Sequence, residues 1–192
     1  MPKVKCNLRT AFVCVVIAFV CLFGYLLLQN FCAELFINWG WETRKNYDLF
    51  AVNGFWLTFL VTAVLVPILE ELIFRLLSCK LLKLLKIPDW CVILISAAIF
   101  AVYHGSWSQL VYQFLMGIWL AWIFLKTRHI GWTILIHFIN NAFIITYTYF
   151  AGTSSDGFAL NVGNISLSVG LAIMTTVVVF WLIKKGIPNY EK

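Results

Sequence analysis

LFAVNGFWLTFLVTAVLVPILEELIFRLLS, residues 49 to 78, is the stretch that decides the fold class. Its apolar side chains cover every face of a helix, whereas a strand of a membrane barrel would alternate apolar and polar residues. A helix that crosses a membrane needs roughly 20 apolar residues, because about 30 Å of hydrocarbon is spanned at about 1.5 Å per residue. The stretch therefore predicts a transmembrane helix.

The rest of the chain has the same character. Of its 192 residues, 62% are apolar and 11% are charged, whereas a soluble domain has about 45–50% and about 25%. Six stretches are long enough to be spans, at about Thr10–Leu28, Leu49–Ser78, Trp90–His104, Ser108–Leu125, Ile130–Tyr149 and Leu167–Ile183. The composition predicts an all-α, polytopic helical membrane protein with about six transmembrane helices, forming a single transmembrane domain over residues 1–192.

The basic residues predict the orientation, because Lys and Arg accumulate in cytoplasmic loops. Eleven of the fourteen fall on one side of the predicted spans: Lys3, Lys5, Arg9, Lys80, Lys83, Lys86, Lys126, Arg128, Lys184, Lys185 and Lys192. Only Arg44 and Lys45 fall on the other side, and Arg75 lies within a span. Both termini are therefore predicted to be cytoplasmic. Because this distribution accounts for the net charge of +6, nucleic acid is not predicted as a partner.

Ionisable and amide side chains inside spans are candidates for function, because each charge costs at least about 2.5–3.5 kcal/mol to insert. They are Glu70, Glu71 and Arg75 on the second span, His104 at the end of the third, and His137, Asn140 and Asn141 on the fifth. Because these side chains come from three separate spans, we expect them to share a polar cavity.

Helical spacing separates the carboxylates of the second span. Glu71 and Arg75 are four residues apart, so they share a face and are predicted to form a salt bridge. Glu70 points to a different face and lacks that partner. Pro67 has no backbone N–H, so a kink and unpaired carbonyl groups are expected near Glu70.

The same spacing applies to the third and fifth spans. His137 and Asn141 are four residues apart and project together, while Asn140 turns away from them. On the third span, Phe100 and His104 share a face. The sequence therefore predicts a site built from Glu70, His104, His137 and Asn141.

These four side chains suit the hydrolysis of a carbonyl compound. Glu70 would act as general base on a water molecule, with His104 holding that water or sharing its proton. His137 and Asn141 would donate hydrogen bonds to the developing oxyanion. Alternatively, Glu70, His104 and His137 could bind zinc with water as the fourth ligand. The residues alone leave both versions open.

Three motifs resemble those of the CAAX-protease and bacteriocin-processing (CPBP, or Abi) family of intramembrane proteases. Glu70-Glu71-Leu-Ile-Phe-Arg75 resembles its EExxxR motif, Phe100-Ala-Val-Tyr-His104 its FxxxH motif, and His137-Phe-Ile-Asn-Asn141 its HxxxN motif. They occur in the family's order within about Pro67–Asn141, and we expect the protease core at about 50–150. Three ordered motifs, each on a predicted span, are a specific signal.

The resemblance implies an intramembrane endopeptidase of the glutamate type that needs no cofactor. It implies that Glu70 activates water, that His104 assists, that His137 and Asn141 stabilise the oxyanion, and that Glu71, Arg75 and Phe100 are supporting residues. The implied substrate is a small or lipidated peptide at the membrane lipid, and the chain's small size favours the peptide-processing and immunity branch of the bacterial cell membrane.

Two other functions fit the same polar groups. One is a non-catalytic bacteriocin-immunity or scaffold protein that binds a peptide in the cavity. The other is a proton-linked transporter, since Glu and His also build proton relays. The depth of His104 is a further question, because counting about 1.5 Å per residue places it about 27 Å from Lys86, whereas Glu70 lies about 15 Å from Lys80. A shared site therefore requires either that the third span begins later and tilts strongly, or that the residues near Lys86 form a short interfacial helix.

Overall fold

A computed structural model describes residues 8–41, 53–151 and 162–188, and these ranges form helices joined by turns, with no strand among them. The helices are α1 (Leu8–Asn38), α2 (Gly54–Leu84), α3 (Asp89–Tyr103), α4 (Trp107–Thr127), α5 (Ile130–Ala151) and α6 (Val162–Gly186). Lys3, Lys5, Arg44, Lys45, Lys192 and the first residues of the predicted second span lie outside the described residues.

The predicted helical membrane fold is confirmed. Within the described ranges, five helices are long and apolar enough to cross a membrane, and α3 is a shorter apolar helix of 15 residues. The first helix ends at Asn38, beyond the predicted boundary at Leu28. The difference arises because hydropathy marks the part of a helix suited to hydrocarbon, whereas helical hydrogen bonding and burial continue through Cys32 and Glu34.

Successive helices run in opposite directions. At one end of the bundle, the Arg9 guanidinium donates to the Lys185 carbonyl, and the Lys126 ammonium donates to the Ile183 carbonyl at 2.6 Å. At the other end, the Phe36 ring at the end of α1 contacts the Trp107 ring at the start of α4. The described basic residues of α1, α4 and α6 therefore gather at one end, as the charge pattern predicts. The assignment of that end to the cytoplasm stays a prediction.

The largest buried core lies between α1, α4, α5 and α6. Tyr25 is fully buried there, and its hydroxyl accepts from the Trp119 indole and bonds to the Thr176 hydroxyl, both at 3.0 Å. In contrast, α2 packs mainly on α5 and leaves Leu69 and Ile73 at least half exposed. The predicted acidic pair is therefore carried by a helix at the edge of the bundle.

A close approach of α3 and α4 determines the position of α3. A Cβ atom on Gly117 of α4 would lie 2.8 Å from the Cα and 3.0 Å from the Cβ of Ala97 on α3. Only a residue without a side chain permits this distance. Because α3 carries Phe100 and His104, the absence of a side chain at Gly117 sets where these two rings lie.

Candidate active site

The helix that carries the glutamates contains two π-helical segments. These are Leu60–Leu65 and Leu72–Leu77, and Val66–Glu71 lies between them in the α conformation. The Val66 N–H donates to the Val61 carbonyl, five residues back. π-helical turns are frequent at functional sites, where they change the direction of neighbouring side chains.

Pro67 leaves one carbonyl of this helix without its backbone partner. In the register of Val66, the next N–H would pair with the Thr62 carbonyl, but proline has no N–H to donate. The side-chain amide of Asn141 on α5 donates to that Thr62 carbonyl at 3.0 Å. The unpaired carbonyl expected near Glu70 therefore serves as the attachment point between α2 and α5.

Glu71 and Arg75 form the ion pair that their spacing predicts. The Arg75 Nε atom lies 3.3 Å from Glu71 Oε2, and both side chains are fully buried. The guanidinium carbon of Arg75 also lies 4.5 Å from the centre of the Phe100 ring, in cation–π geometry. Arg75 balances the charge of Glu71, so the buried carboxylate is not an unpaired charge. Glu71 can therefore act as a supporting residue of the site.

His137 lies between the two glutamates. Its Nδ1 atom donates to Glu71 Oε1 at 3.1 Å, since a carboxylate can only accept, and its Nε2 atom lies 3.6 Å from Glu70 Oε2. That Glu70 oxygen is buried and makes no hydrogen bond to any described residue. Of the two carboxylates, Glu70 is therefore the one not neutralised by an arginine, and it faces a ring nitrogen of His137.

His104 joins this network through Phe100. It caps the end of α3, and its Nδ1 atom donates to the Phe100 carbonyl at 2.9 Å. The Phe100 ring lies 4.8 Å from the His104 ring and 5.8 Å from the His137 ring, between centroids. Within the described ranges, His104 makes no hydrogen bond or ion pair with Glu70. The two imidazoles thus share one phenyl ring, and Nε2 is the His104 nitrogen left to accept a proton.

The structure differs from the prediction at Asn140. Its helical position turns away from Asn141, as adjacent residues do, yet its side-chain amide reaches back and donates to Asn141 Oδ1 at 3.3 Å. Its own oxygen accepts from the Tyr112 hydroxyl of α4. Sequence spacing did not reveal Tyr112 or Thr62 as parts of the site. The only feature of the sequence that points to Thr62 is Pro67, which lies five residues later and has no N–H to offer the Thr62 carbonyl.

The alternative zinc site is not assembled in this arrangement. Among the described residues, no three His, Cys, Asp or Glu side chains lie close enough together to hold a metal ion. Glu70 and His137 are close, but the described contacts of the His104 side chain are to Phe100 and Tyr103 and not to Glu70 or His137. We therefore derive no step through a metal.

Comparison with known proteins places this site in a family. Residues 52–143 match a family model described as Type II CAAX prenyl endopeptidase Rce1-like. This region is similar to the Rce1-like family. The Rce1-like region contains every predicted site residue: Glu70, Glu71, Arg75, Phe100, His104, His137 and Asn141. No curated protein and no solved structure matches the chain.

The match to the Rce1-like model confirms the resemblance to CAAX proteases and supports an intramembrane protease role. The family implies peptidase activity, and therefore a peptide substrate in a membrane context. The five long apolar helices agree with an integral membrane protein.

Proposed function

We propose that this protein is an intramembrane endopeptidase in which Glu70 activates a water molecule to hydrolyse a peptide bond. The observation that carries this proposal is that the two adjacent glutamates have different partners. Glu71 is fully buried and paired with Arg75, whereas Glu70, among the described residues, faces the His137 ring alone, with 3.6 Å between Nε2 and Oε2. A buried carboxylate that no arginine neutralises is suited to accept a proton.

In this mechanism, Glu70 takes a proton from water as the water oxygen bonds to the carbonyl carbon of the substrate. His104 shares the proton through its free Nε2 atom. In its doubly protonated form, with Nδ1–H held by Glu71, His137 donates through Nε2–H, and together with the second N–H of Asn141 it stabilises the negative charge on the carbonyl oxygen. The C–N bond then breaks, and the proton passes to the amine that leaves. Glu71, Arg75 and Phe100 hold His137 in place.

The substrate is proposed to be a small or lipidated peptide held at the membrane lipid. The matching family is described as CAAX prenyl endopeptidases, which favours a lipidated peptide. We further propose a bacterial cell-membrane location with both termini cytoplasmic, in agreement with the basic residues gathered at one end of the bundle.

Purified protein and a quenched peptide library, presented with and without a C-terminal prenyl group, test this proposal. Wild type is compared with Glu70→Gln and with Glu34→Gln, which changes another buried glutamate on α1. We expect cleavage by wild type and Glu34→Gln, no cleavage by Glu70→Gln, and no effect of stringent chelation. Inserted protein with normal thermal unfolding is the condition for comparing the variants.

Each other result argues against the proposal in a different way. Cleavage by Glu70→Gln removes Glu70 as the base. Loss of cleavage on chelation requires the metal version with Glu70, His104 and His137. If no form cleaves any peptide, but Glu70→Gln still protects cells from a bacteriocin as well as wild type does, the protein is a non-catalytic immunity or binding protein. Proton flux in vesicles would instead indicate a transporter.

A further inference from the structure

We propose that Tyr112 and Asn140 are positioning residues that fix the orientation of the Asn141 side-chain amide. The inference rests on the proposed function, in which Asn141 donates a hydrogen bond to the oxyanion. Tyr112 lies outside the three motifs, and Asn140 occupies an unspecified position of the HxxxN motif and is expected from helical spacing to face away from the site. Their role follows from a chain of hydrogen bonds that crosses three helices.

The chain begins at Tyr112 on α4 and ends at the backbone of α2. The Tyr112 hydroxyl donates to Asn140 Oδ1 at 2.5 Å, and Asn140 Nδ2 donates to Asn141 Oδ1 at 3.3 Å. Asn141 Nδ2 then donates to the Thr62 carbonyl at 3.0 Å. Tyr112 and Asn140 are almost completely buried, so no bulk water competes for these groups.

The direction of the chain is determined by its last member. A backbone carbonyl can only accept a hydrogen bond, so Asn141 must turn its nitrogen toward Thr62 and its oxygen toward Asn140. Asn140 must then present its nitrogen to Asn141 and its oxygen to Tyr112, whose hydroxyl donates. Every amide in the chain therefore has one orientation that satisfies both of its neighbours.

This orientation matters for the reaction because an amide nitrogen carries two hydrogens. One hydrogen of Asn141 Nδ2 is used by Thr62, and the other remains available to an oxyanion. If Asn140 no longer holds the Asn141 oxygen, the amide can rotate, and the second N–H loses its fixed direction. Tyr112 acts one step earlier, because it holds the oxygen of Asn140.

Tyr25 provides a matched control for Tyr112. It is also a buried tyrosine whose hydroxyl makes hydrogen bonds, and the two rings pack edge to face with 6.3 Å between centroids. Among the described residues, the Tyr25 hydroxyl bonds to Trp119 and Thr176 and to neither Asn140 nor Asn141. Tyr25→Phe and Tyr112→Phe therefore remove the same atom from neighbouring places, but only Tyr112→Phe breaks the chain.

The first experiment measures kcat and KM for cleavage of the best peptide by these variants. We expect Tyr112→Phe to lower kcat by about three- to tenfold, as for one lost hydrogen bond, with KM within about twofold. Tyr25→Phe keeps kcat even where it lowers the thermal stability equally. In the Asn141→Ala background, Tyr112→Phe causes no further loss, because the residue that it positions is absent. Equal kcat losses in both tyrosine variants, or additive effects with Asn141→Ala, would overturn the proposal.

A second readout is independent of catalysis. Protein labelled with ¹⁵N at asparagine gives side-chain amide signals, and Asn141→Ala identifies the signal of Asn141. We expect Tyr112→Phe and Asn140→Leu to shift or broaden this signal, and Tyr25→Phe to leave it unchanged. An unmoved signal in Tyr112→Phe contradicts the positioning role, whereas a moved signal in a protein that cleaves nothing contradicts the proposed function alone.

Discussion

The side-chain amide of Asn141 donates a hydrogen bond to the carbonyl oxygen of Thr62, 3.0 Å away on α2. The bond exists because Pro67 cannot supply the backbone N–H that would otherwise pair with this carbonyl in the π-helical register. The missing backbone hydrogen bond of α2 is thus replaced by a hydrogen bond from a side chain of α5. The helix with both glutamates is thereby held against the helix with His137.

Pro67→Ala tests this relationship. An N–H at position 67 would compete with Asn141 for the Thr62 carbonyl, so the amide would lose its partner. We expect cleavage to slow by about three- to tenfold, equivalent to one hydrogen bond of about 0.5–1.5 kcal/mol, while the melting temperature is unchanged or higher. Pro88→Ala, which changes an exposed proline before α3, is the control. A wild-type rate for Pro67→Ala would contradict the prediction.

The Glu71–Arg75 pair predicts a partial rescue of stability. Arg75→Met leaves the Glu71 carboxylate buried without its cation, which should cost about 3–5 kcal/mol. Adding Glu71→Gln removes the unpaired charge and keeps an oxygen that accepts from His137, so most of this loss should be recovered. Thermal unfolding in detergent measures both variants. The prediction is wrong if the double variant is no more stable than Arg75→Met.

The α3–α4 contact predicts a large effect of one methyl group. Gly117→Ala places a Cβ atom 2.8 Å from the Ala97 backbone, so the helices must separate. We expect a loss of about 1–3 kcal/mol of stability and a larger loss of activity, because Phe100 and His104 move with α3. Gly170→Ala on α6 meets no atom within 4 Å and should change neither property. Equal stability and equal activity of Gly117→Ala and Gly170→Ala would contradict this prediction.

We predict that stability and cleavage depend on the aromatic ring of Phe100 and not on its apolar volume alone. Phe100→Leu keeps an apolar side chain but removes the surface shared by Arg75, His104 and His137. We expect a loss of about 0.5–2 kcal/mol from the cation–π contact, and slower cleavage. Phe143→Leu, which changes an α5 ring outside the network, is the comparison. Cleavage by Phe100→Leu at the rate of Phe143→Leu would refute this role.

The sequence predicts the helices and the Glu71–Arg75 pair because both depend on local spacing. Apolar runs longer than the hydrocarbon thickness mark the spans, and four residues bring two side chains to one helical face. The separate status of Glu70 follows from the same geometry. These features need no knowledge of how the helices pack.

The features that the sequence did not predict depend on packing between distant segments. Tyr112 and Asn140 are 28 residues apart, and Thr62 and Asn141 are 79 apart, so periodicity carries no signal for either bond. Counting residues also carried no signal for the packing of the His104 ring back on Phe100, because that contact depends on the conformation of a side chain at a helix end. The sequence-based assignment of catalytic roles stays a prediction.

The pairing of the first and last helices has a consequence for the order of folding. Arg9 contacts Lys185, and Tyr25 contacts Thr176, so these contacts join positions 176 and 151 residues apart in the chain. The bundle cannot close until the ribosome has completed α6. The polar network, in contrast, lies between Thr62 and Asn141, and its helices are all synthesised before α6. The residues of the polar network are therefore closer together in the sequence than the residues that join α1 to α6. Because contacts of smaller sequence separation form sooner, we expect the network to form first.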